Sequence, residues 1–353
     1  MTTEVEMDSS LASGEEVVAR LIGVSCDFPV RLPGRGKATV HAVDDVDLSV
    51  VRGRTLGLVG ESGSGKSTLA RLLLRLIRPT SGQVELGGED ITSVKGAPLR
   101  TLRRRMQLVF QDPYSSFDPL ASIGSSVGEA LIVHTDLGRA DRERRTAELL
   151  DQVRLPASFA RRRPREVSGG QLQRAAIARA LATEPELLAL DEPLSSLDVA
   201  TQVQIVDLLG DLQDRLGIAY LFISHDLNLV HSLSHRVAVM YLGRIVEEGP
   251  VDDLFSSAHH PYTQALLSAS PSMDPERRRL RIVLAGDIPS PMNPPTGCHF
   301  RTRCRHAMEV CADEEPAPTR VGQLVVRCHL MTPTHKEASG PDSPATTRRA
   351  SGR

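Results

Sequence analysis

Residues 55–67 read Thr-Leu-Gly-Leu-Val-Gly-Glu-Ser-Gly-Ser-Gly-Lys-Ser, a short apolar strand that breaks into glycines and closes on Lys-Ser. No other stretch restricts the fold so tightly. Gly60, Glu61, Ser62, Gly63, Ser64, Gly65, Lys66 and Ser67 satisfy G-x-x-x-x-G-K-[ST] without adjustment. The glycines let the backbone wrap a phosphate chain with successive N–H groups turned inward. Lys66 brings a positive charge for the β- and γ-phosphates, and the Ser67 hydroxyl is a ligand for Mg²⁺. A helix opening at Lys66 aims its positive dipole end at the same oxygens. A nucleotide with Mg²⁺ is the expected ligand.

The surrounding text supports an α/β fold. A helix is expected over residues 66–77, stopped by Pro79. Alternation over 41–50 reads as a half-buried strand, Gly87-Gly88 as a hairpin turn, and 106–110 as a buried strand. Helical text fills about 124–160, and the Ala-rich segment 171–183 is a strong helix by propensity. Then come the strand LLALD, a helix over 199–216, the strand IAYLFIS, and a hairpin turning at Leu242-Gly243. Strands alternating with helices imply a mostly parallel sheet with antiparallel additions at front and back.

At 353 residues, about two domains are expected. These are a nucleotide-binding domain over 18–255, with a helical subdomain at about 124–165, and a small C-terminal module over 256–332. Pro261, Pro271, Pro275, Pro289, Pro291, Pro294 and Pro295 crowd that module. Residues 1–17 and 333–353 read as a disordered leader and tail. A net charge of -2 and the absence of Trp argue against a nucleic-acid partner. No apolar run is long enough to span a bilayer, and the first ten residues lack the features of a secretory signal, so the chain is expected in the cytosol.

Two further segments carry chemistry. Leu187, Leu188, Ala189 and Leu190 lead into Asp191 and Glu192. Asp191 sits where a doubly wound sheet gathers its ligands and is expected to hold Mg²⁺ through water; Glu192 is placed to polarise an attacking water as general base. Ser168, Gly169, Gly170 and Gln171 open the Ala-rich helix and offer N–H groups and a hydroxyl at its positive end, a second anion site. Two γ-phosphate grips in one chain make sense if each closes on another subunit's nucleotide.

These residues, in this order, resemble the ATP-binding-cassette (ABC) ATPases over about residues 20–250. The resemblance implies that residues 60–67, with Thr68, form the ATP loop and that Gln111 in VFQDP is a glutamine lid reaching Mg²⁺. Ser168, Gly169, Gly170 and Gln171 are similar to the family signature, and Asp198 to its dimer-contact loop. His225 in FISHD resembles the switch histidine that senses the γ-phosphate. Two departures stand out: Val167 replaces the usual Leu before Ser-Gly-Gly, and no adenine-stacking aromatic is evident, Phe28 being the nearest.

PYSSFDP, AVMYLGRIVEEG and HPYTQALLSASP narrow the resemblance to the second ATPase subunit of oligopeptide/dipeptide importers. That implies ATP hydrolysis driving peptide import, with nickel, glutathione or another solute as alternatives and a non-transport role further off. The implied partners are a second ATPase subunit (identical or different), two transmembrane permeases and an extracytoplasmic solute-binding protein, placing the chain on the cytoplasmic face of the plasma membrane.

Cys298, Cys304, Cys311 and Cys328 fall close together, while Cys26 is remote. Their spacing is not that of a common zinc ribbon, yet four thiolates can hold a [4Fe–4S] cluster or Zn²⁺. The subfamily resemblance implies iron–sulfur. Arg301, Arg303, Arg305 and Arg327 interleave with these thiols and are expected to offset cluster charge or to be solvated. ATP binding at Lys66 is expected to be independent of the module, because the cassette should have its own sheet and core.

Overall fold

A computed structural model describes residues 15–32, 36–269 and 282–332. Most of the expected leader and tail, together with Pro271 and Pro275, lies outside the described residues. Two sheets organise the rest. One is four-stranded and antiparallel, in the order β2-β1-β4-β5. Its strands are β1 (Val17–Leu32), β2 (Gly36–Val51), β4 (Ser81–Leu86) and β5 (Glu89–Asp90). Gly87 and Gly88 take φ of 59° and 80° between β4 and β5, the left-handed geometry that a two-residue hairpin demands.

The other sheet is eight-stranded, in the order β11-β12-β10-β9-β3-β8-β7-β6. Its parallel centre consists of β3 (Thr55–Val59), β6 (Met106–Val109), β7 (Leu187–Asp191), β8 (Ala219–Ile223) and β9 (Arg236–Tyr241). All five residues of β3, β7 and β8 are buried, as expected of strands covered on both faces. Side-chain alternation divides them between two cores. Leu187, Ala189, Leu221 and Ile223 face α1 (Lys66–Leu73) and the four-stranded sheet. Leu188, Leu190, Tyr220 and Phe222 face the helical side, built from α4 (Ile123–His134), α5 (Arg139–Gln152), α6 (Gly169–Leu181) and α7 (Val199–Leu216).

Helix α1 ends four residues before the expected 77. Arg75 turns the chain out of the helix with φ of 52° and buries its guanidinium. Its nitrogens donate to the Ile91, Ile77 and Thr92 carbonyls at 3.0, 3.1 and 2.6 Å. Helix α6 instead begins two residues early, because Ser168 caps it and takes the Gln171 N–H. The turn at Leu242 and Gly243 joins β9 to β10 (Arg244–Pro250) as expected, with φ of 44° and 85°.

The expectation of a cassette with its own sheet is corrected by strand pairing. The hairpin β11 (Pro318–Val321) and β12 (Leu324–Arg327) continues the ATPase sheet, with Val326 opposite Glu247 of β10. Val326, Phe300 and Cys328 are buried in the same cluster as Val239 and Tyr241. Glu247, fully buried, accepts the N–H groups of His259 and His260 at 2.7 and 3.1 Å, tying β10 to the start of a helix over Pro261–Ala269.

A shared core predicts shared unfolding. Val326→Ala should cost about 2 kcal/mol. It should lower the midpoint of one common urea transition, seen alike by circular dichroism and by thiol accessibility at Cys328. Separate transitions by the two probes would contradict this.

Candidate functional site

Strand β3 delivers the chain at Gly60 to a loop that only small residues can form. Gly60 has φ of 153°, and a Cβ there would lie 2.1 Å from the Met240 carbonyl oxygen; at Gly65, φ 110°, it would lie 2.3 Å from that of Ala42. The loop is thus wedged between β9 and β2, with Ser62 and Gly63 exposed at its crest. Lys66 is 6% exposed. Its ammonium donates to the Gly60 and Glu61 carbonyls at 2.8 and 2.9 Å, with the Ser64 hydroxyl at 3.4 Å. Burial lowers its pKa, and the charges of Glu192, Asp191 and Glu61 oppose that shift.

The carboxylates arrive from β7, which lies one strand beyond β8, the neighbour of β3. The Ser67 hydroxyl donates to Asp191 Oδ1 at 2.9 Å, bringing the two expected Mg²⁺ ligands together. Burial pushes the Asp191 carboxyl up, while the Ser67 hydrogen bond and the positive charges of Arg71 and Lys66 pull it down. Glu192 follows with φ of 46°, a strained backbone that turns its side chain out of the strand line. Its Oε2 receives Gln111 Nε2 at 3.2 Å and lies 3.3 Å from His225 Nδ1. Lys66, Ser67, Asp191, Glu192, Gln111 and His225 therefore converge at the ends of the central strands, and Thr68 follows them on α1. The expected phosphate loop, Mg²⁺ ligands and base thus meet in one place.

The other expected residues form a second cluster. Ser168 and Gln171 close a reciprocal cap on α6. Asp198 caps α7 and accepts the Thr201 N–H and hydroxyl at 3.0 and 2.7 Å. Gly170 packs against the same residue: a Cβ there would lie 2.4 Å from Thr201 Cγ2. Among the described residues, no hydrogen bond of Ser168, Gln171 or Asp198 reaches the phosphate loop.

The four C-terminal cysteines are drawn to one flank, but a metal centre of the expected kind is not formed. Among the described residues, no group of three or more His, Cys, Asp or Glu side chains is arranged to hold a metal ion. All four thiols are free. Burial pushes Cys298 up to about 11 and Cys328 up to about 12, and in each case the neighbouring cysteines add to the rise. The donor chemistry suits a thiolate-bound metal, but the arrangement does not close into a ligand set. The expected role of Arg303 is also corrected. Its side chain is 7% exposed and grips Glu61 of the phosphate loop at 2.7 Å. Arg327 lies 3.9 Å from Asp45 and 3.8 Å from Asp47. Sequence reasoning missed Tyr262, whose hydroxyl accepts the Glu61 N–H at 2.8 Å. Nothing local to HPYTQALL signals that contact, which spans 201 residues.

Comparison with known proteins agrees with this geometry. The family described as ABC transporter matches residues 43–195, and the one described as oligopeptide/dipeptide transporter, C-terminal region, matches residues 246–311. A Brucella abortus (strain 2308) chain named as a peptide import ATP-binding protein is 49% identical over 319 residues, covering 90% of this chain and 95% of that one. The peptide ABC transporter ATP-binding protein y4tS of Sinorhizobium fredii is 52% identical over 296 residues, covering 83% of this chain and 84% of its own. Among solved structures, the dimeric ATP-binding cassette MJ0796 bound to ADP and Pi matches with a TM-score of 0.59 at 29% identity, over 66% of this chain and 98% of that one. The cassette cbiO1 from Clostridium perfringens matches with a TM-score of 0.60 at 27% identity, over 69% and 92%. The chain belongs to the ABC transporter ATPases, in the branch that carries the oligopeptide/dipeptide transporter C-terminal region.

Proposed function

We propose that this chain is the ATP-hydrolysing subunit that energises import of di- or oligopeptides through a membrane ABC transporter. The convergence of Lys66, Ser67, Asp191, Glu192, Gln111 and His225 carries the ATPase reading. The C-terminal region, together with relatives at about half identity named for peptide import, supports the choice of solute.

With MgATP as substrate, Lys66 exchanges its loop carbonyls for β- and γ-phosphate oxygens. Ser67 and Asp191, joined by Gln111, would hold the Mg²⁺ of that substrate. Glu192 takes the proton of the attacking water, and His225 orients Glu192 and contacts the γ-phosphate. Phosphoryl transfer to water depends on positioning and charge stabilisation, which this set supplies. Phe28, 39% exposed on β1 beside the β2 segment that flanks the loop, is proposed as the adenine platform.

Two such subunits close face to face, with Ser168 and the Gly170 N–H of one meeting the γ-phosphate held by Lys66 of the other. The separation of the two clusters supports this arrangement. So do Val199 and Val203, which leave α7 75% and 51% exposed beside Asp198. No helix among the described residues is long and apolar enough to cross a membrane. The peptide-transport names of the relatives and the C-terminal region support separate permease subunits, through which the chain sits at the cytoplasmic face, and an extracytoplasmic solute-binding protein. A domain division near residue 255, with a helical subdomain at about 124–165, is part of the same proposal. Cys298, Cys304, Cys311 and Cys328 are proposed to take up a [4Fe–4S] cluster in a structural role, with Zn²⁺ as the alternative. The donor chemistry of four free thiols on one flank supports this, and binding requires them to move into a ligand set that they do not form here.

Three outcomes test the proposal. Glu192→Gln should retain MgATP binding while turnover in the assembled transporter falls at least ~100-fold; parent-like turnover would remove Glu192 from the role of base. Ser168→Arg should abolish hydrolysis yet leave the isolated subunit's ATP affinity within about threefold, and loss of binding would assign Ser168 to the local fold. Anaerobically purified protein should be brown, carrying about four irons. Colourless protein with one zinc would replace the cluster, and metal-free protein would refute a metal role.

A further inference from the structure

Glu61, the second residue of the phosphate loop, is held at three points. Its carboxylate receives both ends of the Arg303 guanidinium, Nη1 to Oε2 at 2.7 Å and Nη2 to Oε1 at 3.2 Å. Its N–H donates to the Tyr262 hydroxyl at 2.8 Å. Its carbonyl accepts the Lys66 ammonium at 2.9 Å and the Ser64 N–H at 3.2 Å. The first two holds come from the C-terminal region, and the third is the loop's own lysine.

The holding groups are themselves anchored. Tyr262 is fully buried, with its ring 4.7 Å from that of Tyr241 and 5.5 Å from that of Phe300. Arg303 stacks over Tyr241 at 5.9 Å. Its own segment winds in successive turns, with Arg301 N–H to the Cys298 carbonyl and Arg303 N–H to that of Phe300, both at 3.0 Å. A second path runs beside the first: His299 Nδ1 lies 3.1 Å from the Leu242 carbonyl, and the next residue, Gly243, donates its N–H to the Ser64 carbonyl at 2.9 Å.

We propose that Arg303 and Tyr262 are positioning residues for ATP, gripping Glu61 so that the segment between Cys298 and Cys304 pre-forms the phosphate loop. The proposal rests on reading residues 60–67 as the ATP site. Two physical effects act in the same direction. A bidentate guanidinium–carboxylate pair restricts the loop before ligand arrives, which lowers the ordering cost of binding. It also neutralises a carboxylate that would otherwise face the incoming phosphates. Neither residue touches the nucleotide in this scheme, and both act through Glu61.

The test uses the full chain with MgATP, binding being measured by calorimetry and folding by thermal melting. Arg303→Met should weaken MgATP binding about tenfold in the parent but less than about twofold in a Glu61→Gln background. Joint Glu61→Arg and Arg303→Glu substitution should recover affinity lost in either single charge reversal. Tyr262→Phe, which keeps the ring packing, should weaken binding about threefold by leaving the Glu61 N–H without its acceptor. Equal losses from Arg303→Met in both backgrounds, or unchanged affinity in Tyr262→Phe, would overturn the proposal. If Arg303→Met does not fold, Arg303→Lys is compared across the same two backgrounds, since Lys keeps the charge but not the fork. Lys66→Ala separates the two readings: parent-like MgATP binding by that variant would refute the site itself, whatever Arg303 does.

Discussion

The structure is arranged around one buried ammonium. Lys66 is nearly inaccessible, and a charge removed from water persists only when hydrogen bonds and counter-charges surround it. The Gly60 and Glu61 carbonyls provide the bonds, and Asp191, Glu192 and Glu61 provide the charge. Meeting that requirement fixes the order of the central strands. Strand β3 must end beside β8, with β7 next, so that the Asp191–Glu192 pair arrives across from the loop. The glycines that bring backbone within reach of the ammonium also bring it against Met240 and Ala42. The eight-stranded sheet and the antiparallel one are thereby pressed together at the phosphate loop.

Much of this was legible because the motifs are local and their chemistry is short-ranged. Residues 60–67 carry their turn in the glycines and their ligand in Lys66 and Ser67. The Leu242-Gly243 and Gly87-Gly88 turns state their geometry outright, and the structure has positive φ at all four. The α7 boundaries could be read from Asp198 at one end and Gly217 at the other, a side-chain cap and a left-handed stop. The end of α1 could not, because it depends on Arg75 finding carbonyls at Ile91 and Thr92, in the turn that follows β5.

The site divided in the same way. Convergence of Glu192, Gln111 and His225 follows from where parallel strands end, a property of topology that strand order in the sequence reveals. The contact of Arg303 with Glu61 crosses 242 residues and joins a motif to a segment with no motif of its own. Beside four cysteines, an arginine reads naturally as a companion to thiolate charge. Only packing shows that its fork matches a carboxylate beside the cluster of the Tyr241, Tyr262 and Phe300 rings.

The pairing of β12 with β10 has a consequence for synthesis. Glu247 emerges from the ribosome long before its partner Val326, so until then β10 carries an open row of hydrogen-bonding groups beside Ile245 and Val246, both buried in the finished fold. An unpaired apolar edge of that kind templates association with other chains. The β11–β12 hairpin thus acts as a cover for this flank of the ATPase sheet, and the growing polypeptide is open to association through the interval before it is made. A message cut short before residue 318 would yield a cassette with every nucleotide-binding motif present and a sticky flank.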